Sequence, residues 1–589
     1  MAFLSFSRSI PLFLAIQTVM FFLFLRASER AKVKDGETLR TSNKISSITV
    51  RVLCALLIIG VVATILFKFR YTLTYTVITM LAPAILVPLI ATGSSSKLML
   101  VAIILWHFML IAPEMPSDLL AITEGVHMTR TIILHERWIP EMAHNPSYNP
   151  FPTMAFIRAA VSLLTGLPWF DWSLGYILIA AVTLAFDLTL FALTSRMLSD
   201  RGAGLLAVMI AALTPYLLVM GHAYQVPANV MWLLCTLMLI KPPEKSKKSD
   251  VIVRAILFSS AILTHPTAYI AMIFPLTFLS LTYIVDKRLL SGYSYVRGAL
   301  FSIVVIGLFR FVYEEAYARY VGKMPFNAVK DLAIRIFTGE EFEAKLSLYD
   351  YSGIPFYQAF LWSLTASLAC ALILHYALKR SVDITLFSLF ITASIFIAMG
   401  YMMATLTRVS TQLYRGQYVA FSFLVPLAAL TTKKILDSRS KGLIAIMALL
   451  FISSSLLVMN DPEMSPRVAQ RARGVPEIVE SMRPTLADLV KAESIIGLTK
   501  GDINTISRLI FYSEASIAYE RITTYGERMP MVYGRLQDAL YKALYAHGHT
   551  IRDRPIVSID SVVPSELSDA VSKYSMVHNF GREYVFLKS

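Results

Sequence analysis

From its start to about residue 460 the chain is a succession of apolar runs, many of them about 18 residues or longer and almost free of charge. A run of that kind can hide in a protein core or cross a bilayer. Repeated so many times in one chain, it leaves only the bilayer, because no single soluble core could take them all. Charged residues make up 16% of the 589 positions, well under the roughly 25% usual for soluble proteins. Spans are expected near 4–25, 50–67, 72–92, 97–113, 174–195, 203–220, 226–240, 251–264, 266–285, 298–313, 355–378, 383–402, 417–432 and 441–459. The first lacks a convincing small-residue cleavage site and is read as a helix, not a removable leader. The fold class that follows is a polytopic α-helical membrane protein of about 14 transmembrane helices.

Basic residues set the expected orientation. The connection after the first span carries Arg26, Arg30, Lys32, Lys34, Arg40 and Lys44. Taking alternate connections onward gives Arg196 and Arg201, then Lys241, Lys245, Lys247 and Lys248, then Lys287, Arg288 and Arg297, then Lys379 and Arg380, then Lys433, Lys434 and Arg439. Clustered Lys and Arg in short loops mark the cytoplasmic side. The turn with Lys68 and Arg70 breaks the pattern, as snorkelling at a helix end allows. The net charge of +15 is thus spent on topology, which argues against nucleic acid as a partner. Cys54, Cys235 and Cys370 lie far apart inside apolar runs, with neither metal-ligand spacing nor a disulfide framework, and read as core residues.

Against this background the stretch Glu114 to Pro152 stands out as a polar island holding Asp118, Glu124, Glu136, Glu141, His127, His135, His144, Arg130 and Arg137. Long loops between elements are usually functional. The charge pattern puts this island outside, with a second polar loop near 314–354 and everything after about 460. The tail departs in composition: a charged helix-prone stretch, an apolar strand-like run at Ser494 to Thr499, and the segments PIVSIDSV, YSMVHNF and REYVFLK. The last two, parted around Asn579 to Arg582, read as a hairpin. A small soluble α/β domain is expected there. The division expected is 1–96 (additional N-terminal helices), 97–459 (the main transmembrane domain, with outward loops 114–173 and 314–354) and 460–589 (the exoplasmic domain).

Within the island, Glu124 and His127 are three apart and face the same way on a helix, and Arg130 and Glu136 extend that polar surface. A carboxylate beside an apolar wall at a membrane surface suits a general base. The competing reading is an ordinary solvated loop helix. His127, His135 and His144 are spaced by eight and nine, which matches no compact metal site. His222 and His265 fall near outward helix ends, where they line a cavity or simply pack; Pro266 after His265 marks a bend. Asp187 sits in mid-span, where an acid is a functional candidate by default, with pairing to Arg310 or Arg158 as the structural alternative. Loop 314–354 reads as an amphipathic lid or a plain surface loop. Trp106, Trp138, Trp169 and Trp172 fit an interfacial aromatic belt.

Several short motifs add a resemblance. The long first outward loop with its acid is followed by Tyr148-Asn149-Pro150-Phe151-Pro152 and by Thr165-Gly166-Leu167-Pro168. Thr-Pro-Tyr at 214–216, His222 to Pro227 with Tyr224 inside it, Thr264-His265-Pro266, and Arg-Gly-Gln-Tyr at 415–418 follow. In this pattern the chain resembles the membrane glycosyltransferases of the GT-C superfamily, particularly the prokaryotic members, over about 97–460. The resemblance implies a GT-C-like helical domain and transfer of a sugar from a polyprenyl-phosphate or polyprenyl-diphosphate carrier to a glycan, lipid or protein acceptor; the lack of a long hydrophilic targeting region suits a prokaryotic plasma membrane, with the C-terminal domain outside by the charge pattern. By position Glu124 matches the family's loop carboxylate, with Asp118 next and His127 beside it. The anionic leaving group needs a cation; Arg415 and Arg408 are the candidates, with Arg130 and Arg158 as alternatives. His222, Tyr224 and His265 would line the cavity.

The chain also departs from the family. Its first loop has no adjacent acidic pair and no Asp-x-Asp, and its tail has no Trp-Trp-Asp-type motif. Those departures leave the need for a divalent cation open and argue against protein N-glycosylation. A transporter or flippase of lipid-linked glycans and an inactive membrane scaffold stand as alternatives. A transporter would gather polar groups near the midplane of repeated halves, whereas these titratable groups gather on one face and no repeat is evident.

Overall fold

The computed structural model describes residues 43–66, 73–93, 97–111, 153–167, 172–213, 356–379, 383–407 and 411–460, five strands between 503 and 588, and isolated residues elsewhere. It falls into two compact units. One comprises 1–117 with 179–474, the other 118–178 with 475–589.

The helices of the first unit follow the apolar runs closely. They are α1 (Asn43–Leu66), α2 (Leu73–Ala91) and α3 (Lys97–Ile111). In the second unit lies α4 (Thr153–Thr165), and α5 (Trp172–Leu198) runs across the division into the first. Then come α6 (Arg201–Ala212), α7 (Phe356–Leu378), α8 (Ile384–Thr407), α9 (Thr411–Asp437) and α10 (Lys441–Asn460). The expected spans at 4–25, 226–240, 251–264, 266–285 and 298–313 lie outside the described residues, apart from isolated helical positions.

Among the described helices, Ile177–Leu198, Phe360–Leu378, Val419–Asp437 and Lys441–Val458 are long and apolar enough to cross a membrane. The polarity of the described helices is inverted relative to a soluble bundle. Ile48, Val52, Ile58, Ile59, Leu184 and Leu188 are exposed, whereas Thr183, Asp187, Thr194, Ser367, Thr392 and Ser454 are buried. Lipid as the surrounding solvent explains that arrangement, since polar side chains are then glue between helices and apolar ones face hydrocarbon. The chain is an integral membrane protein.

The central helix is α9, buried continuously from Val419 to Ala429. It packs against α8, α7 and α6. Phe423 stacks on Phe396 of α8 with ring centroids 5.7 Å apart, and Phe421 meets Trp362 of α7 edge to face at 5.4 Å. Thr431 Oγ1 donates 2.8 Å across to Leu368 O of α7. The N-terminal helices join the same unit: α1 packs on α3, and α2 on α10. Trp106, expected in the interfacial belt, is instead fully buried, and its indole N–H donates 3.0 Å to Thr79 O of α2. The reason is polar satisfaction, because a buried indole needs an acceptor. Tyr75 OH makes the matching tie to Met109 O at 2.8 Å. Trp138 and Trp169 lie outside the described residues, and Trp172 opens α5.

One end of this unit is basic. Asp200 caps α6 through Gly202 N at 2.7 Å and Ala203 N at 3.2 Å. Lys433 of α9 reaches that same Asp200 at 3.8 Å and also pairs with Asp437. Beside it Lys434 lies 4.9 Å over the ring of Tyr376, near the end of α7. These contacts bring the α5–α6 turn and the ends of α7 and α9 together, so Arg196, Arg201, Lys379, Arg439 and Lys441 are exposed at one end. That is the grouping the alternate basic connections required for this part of the chain.

The first turn of α6 approaches α5 closely enough to demand glycine. A Cβ on Gly204 would meet Ser195 Oγ, Phe191 Cδ2 at 2.9 Å and Phe191 O at 3.0 Å. The serine hydroxyl can rotate, but the backbone carbonyl cannot. Gly to Ala in a free helix gains about 1 kcal/mol. Here the overlap reverses the sign, and Gly204→Ala is expected to destabilise by about 1–3 kcal/mol, read as a lower midpoint of thermal unfolding in detergent.

In the second unit five strands form one sheet of order β2-β1-β3-β5-β4: β1 (Ile503–Thr505), β2 (Ile522–Thr523), β3 (Ile556–Ser558), β4 (Tyr574–Asn579) and β5 (Tyr584–Lys588). β1 pairs in parallel with β2 and β3, and β5 runs antiparallel to β3 and β4. The expected terminal hairpin is formed, with a register shift between Met576 and His578. Parallel neighbours require crossover connections; residues 506–521 and 524–555, which make them, lie outside the described residues. The strand expected at Ser494 to Thr499 does too.

Candidate functional site

Among the described residues, the membrane helices enclose a polar contact whose chemistry stands apart from the hydroxyl groups around it. Helix α5 turns Ile179, Thr183, Asp187, Leu190 and Thr194 inward, at spacings of three, four and seven that make one face of a helix. Its other side shows Ile177, Leu184 and Leu188 outward. Asp187 is therefore inside because it falls on the buried face and not on the lipid-facing stripe. Helix α3 supplies the partner. His107 Nδ1 lies 2.9 Å from both Oδ1 and Oδ2 of Asp187, and both side chains are fully buried.

The sequence left Asp187 with Arg310 or Arg158 as partners. The structure corrects this to His107. Arg310 lies outside the described residues, and Arg158 is on α4 in the other unit. An imidazole and a carboxylate at this distance share a proton, with either Nδ1–H donating to the carboxylate or the acid O–H donating to Nδ1. Among the described residues, His107 Nε2 and the neighbouring Thr183 hydroxyl are buried with no hydrogen-bond partner. His107 gave one sequence signal, an ionisable residue inside the run KLMLVAIILWHFMLI.

In the second unit, α4 anchors the end of the polar island. Thr129 Oγ1 donates 3.4 Å to Ala155 O, and Ile132 packs with Ala155 and Ala159, with Ile133 against them. Arg158, an alternative cation for the leaving group, points to the same inner side, is 3% exposed and is held there by an interaction. Glu136 of the island is exposed and takes a left-handed backbone, with φ 53°.

Asp118, Glu124, His127, Arg130, Arg408, His222, Tyr224 and His265 lie outside the described residues. Arg415 falls in the early part of α9. Among the described residues no group of three or more His, Cys, Asp or Glu side chains could hold a metal ion.

No protein-family profile matches the chain, and no curated protein matches it in sequence. In structure it is similar to ArnT from Cupriavidus metallidurans, whose crystal structure is bound to undecaprenyl phosphate. That similarity has a TM-score of 0.43 and 12% identity, and covers 82% of this chain and 97% of the other.

Proposed function

We propose that this protein is an integral membrane glycosyltransferase that moves a sugar from a polyprenyl-phosphate-linked donor to an acceptor at the outer face of the membrane. The observation that carries this reading over transport is the enclosure of the intramembrane acid. Asp187 is paired with His107 and neither side chain has exposed surface, while the candidate base and its neighbours fall, by position in the sequence, in the polar island between apolar runs. The motif resemblance supplies the chemical class: a loop carboxylate, Tyr148 to Pro152 and Arg415 to Tyr418 in family order.

In this reading Glu124 takes the proton from the acceptor hydroxyl as the sugar's C1–O bond to phosphate breaks and the C1–O bond to the acceptor forms. Asp118 is the reserve base and His127 its neighbour. The departing lipid phosphate keeps the electron pair and its charge, which Arg415, Arg408 or Arg130 offsets. His222, Tyr224 and His265 line the sugar's cavity. The acceptor class is a glycan, a lipid or a protein, and the C-terminal domain stands outside a prokaryotic plasma membrane.

A flippase or transporter reading draws on the His107–Asp187 pair, since acids and histidines in spans can relay protons. A substrate must reach such a pair, however, and neither side chain has exposed surface. The deciding experiment gives the purified full chain, in liposomes, radiolabelled polyprenyl-phosphate sugars and a membrane extract. Transfer of label to an acceptor is expected. Movement of intact donor between leaflets with no transfer would replace the proposal with the flippase reading, and neither outcome with any donor would leave the scaffold.

A further inference from the structure

We infer that α4 is a lipid-embedded helix, lying in the membrane surface with its C-terminal turn deepest, and that its occupant is the acyl region of the bilayer. Three observations converge. The first is its polarity. Met154, Ala155, Arg158, Ala159 and Ser162 face inward, so the charge of this helix is on the buried side. Phe156, Ile157, Leu163 and Leu164 face outward, the last two at 71% and 87% exposed. In water this helix would be inside out, with a guanidinium in the interior and four large apolar side chains in solvent. In lipid it is the right way round.

The second observation is how the helix ends. Helix ends leave backbone groups that side chains, turn bonds or water must satisfy. Here Gly166 N donates 2.9 Å to Ser162 O, Ser162 Oγ donates 2.7 Å to Leu167 O, Thr165 Oγ1 donates 2.7 Å to Val161 O, and Leu167 N donates 3.3 Å to Thr165 Oγ1. Gly166 makes this closure possible with φ +70°, and a Cβ there would meet nothing within 4 Å. The amides of Gly166 and Leu167 and the hydroxyls of Ser162 and Thr165 thus find partners inside the turn, an arrangement that suits hydrocarbon. The most exposed leucines sit on this same turn.

The third is continuity with the bilayer. Only residues 166–171 separate α4 from α5, whose Ile177–Leu198 stretch is long and apolar enough to span. At 13 residues α4 is about 20 Å long, too short for a hydrocarbon core of about 30 Å. It therefore lies in one leaflet instead of crossing.

The test uses the full chain in phosphatidylcholine and phosphatidylglycerol liposomes, with C54A, C235A and C370A removing the native thiols. Single nitroxides are placed through L163C, L164C and F156C, with E136C as the control in the polar island. Power-saturation EPR then compares relaxation by oxygen, which concentrates in lipid, and by a nickel chelate, which stays in water. Oxygen is expected to relax labels at 163 and 164 strongly while the chelate has almost no effect, with position 156 shallower. Relaxation by the chelate at 163 and 164 to the level seen at 136 would overturn the inference in favour of a solvated helix. Occlusion from both reagents would overturn it in favour of a protein partner. Should the cysteine variants fail to insert, the unmodified chain in liposomes with a photoactivatable acyl chain gives the same decision. Label on the peptide holding Leu163 and Leu164 supports the embedded helix, and its absence there, with label present on α5, refutes it.

Discussion

Glu124→Gln is expected to slow sugar transfer by about 10²–10⁴-fold, the usual contribution of a general base, while the protein still inserts and purifies normally. The amide keeps the size and most of the hydrogen-bonding capacity of the acid but cannot take a proton. A loss confined to kcat, with the donor's KM unchanged, would identify an interaction made in the transition state; a rise in KM alone would identify a binding contact. Initial rates with a labelled polyprenyl-phosphate sugar separate the two. Asp118→Asn serves as the internal comparison. If Glu124→Gln retains full activity and Asp118→Asn loses it, the base is Asp118. If both retain it, the island is a solvated loop and the base lies elsewhere. The comparison is informative because the first loop has no adjacent acidic pair, so a neighbouring carboxylate next in sequence cannot take over.

The ease with which this chain could be read varied with the kind of signal. Helical runs were legible because hydropathy integrates over many residues: Leu73–Ala91 matches 72–92, whereas Asn43–Leu66 starts well before 50–67 and Arg201–Ala212 stops well short of 203–220. The terminal hairpin was legible from two alternating segments around a polar turn. Neither signal says which helix faces which. In α3 and α5 apolar residues occupy nearly every side, so periodicity could not reveal that His107 and Asp187 share an interior. Their separation of 80 positions put the pairing beyond any local rule. Trp106 departs from the belt for the same reason: an indole at a belt and an indole buried against Thr79 O have the same sequence context. The inverted polarity of α4 was hidden differently. Its alternation of buried and exposed positions is helical, but which side meets lipid depends on the tertiary packing of Thr129 and Ile132 against Ala155 and Ala159.

That buried pair yields a prediction independent of catalysis. Removing one partner of an enclosed ionisable pair strands the other in a medium that cannot solvate it. His107→Leu and Asp187→Leu are each expected to destabilise by about 3–5 kcal/mol if the contact behaves as a buried ion pair. An ordinary hydrogen bond between membrane helices averages only about 0.6 kcal/mol, so the measurement discriminates between the two. The double variant His107→Leu/Asp187→Leu removes the polar pair altogether and replaces it with side chains that suit the surrounding apolar interior. It should recover much of the loss, because the penalty lies in the stranded partner and not in the missing attraction. Reversible unfolding of the full chain in bicelles closes the cycle, with coupling read as the departure from additivity. Additive losses would mean that each side chain is held by something other than its partner. Strong coupling, together with normal sugar transfer by the stable double variant, would assign His107 and Asp187 to holding α3 against α5. Strong coupling with lost transfer would give the pair a part in the reaction that its enclosure argues against.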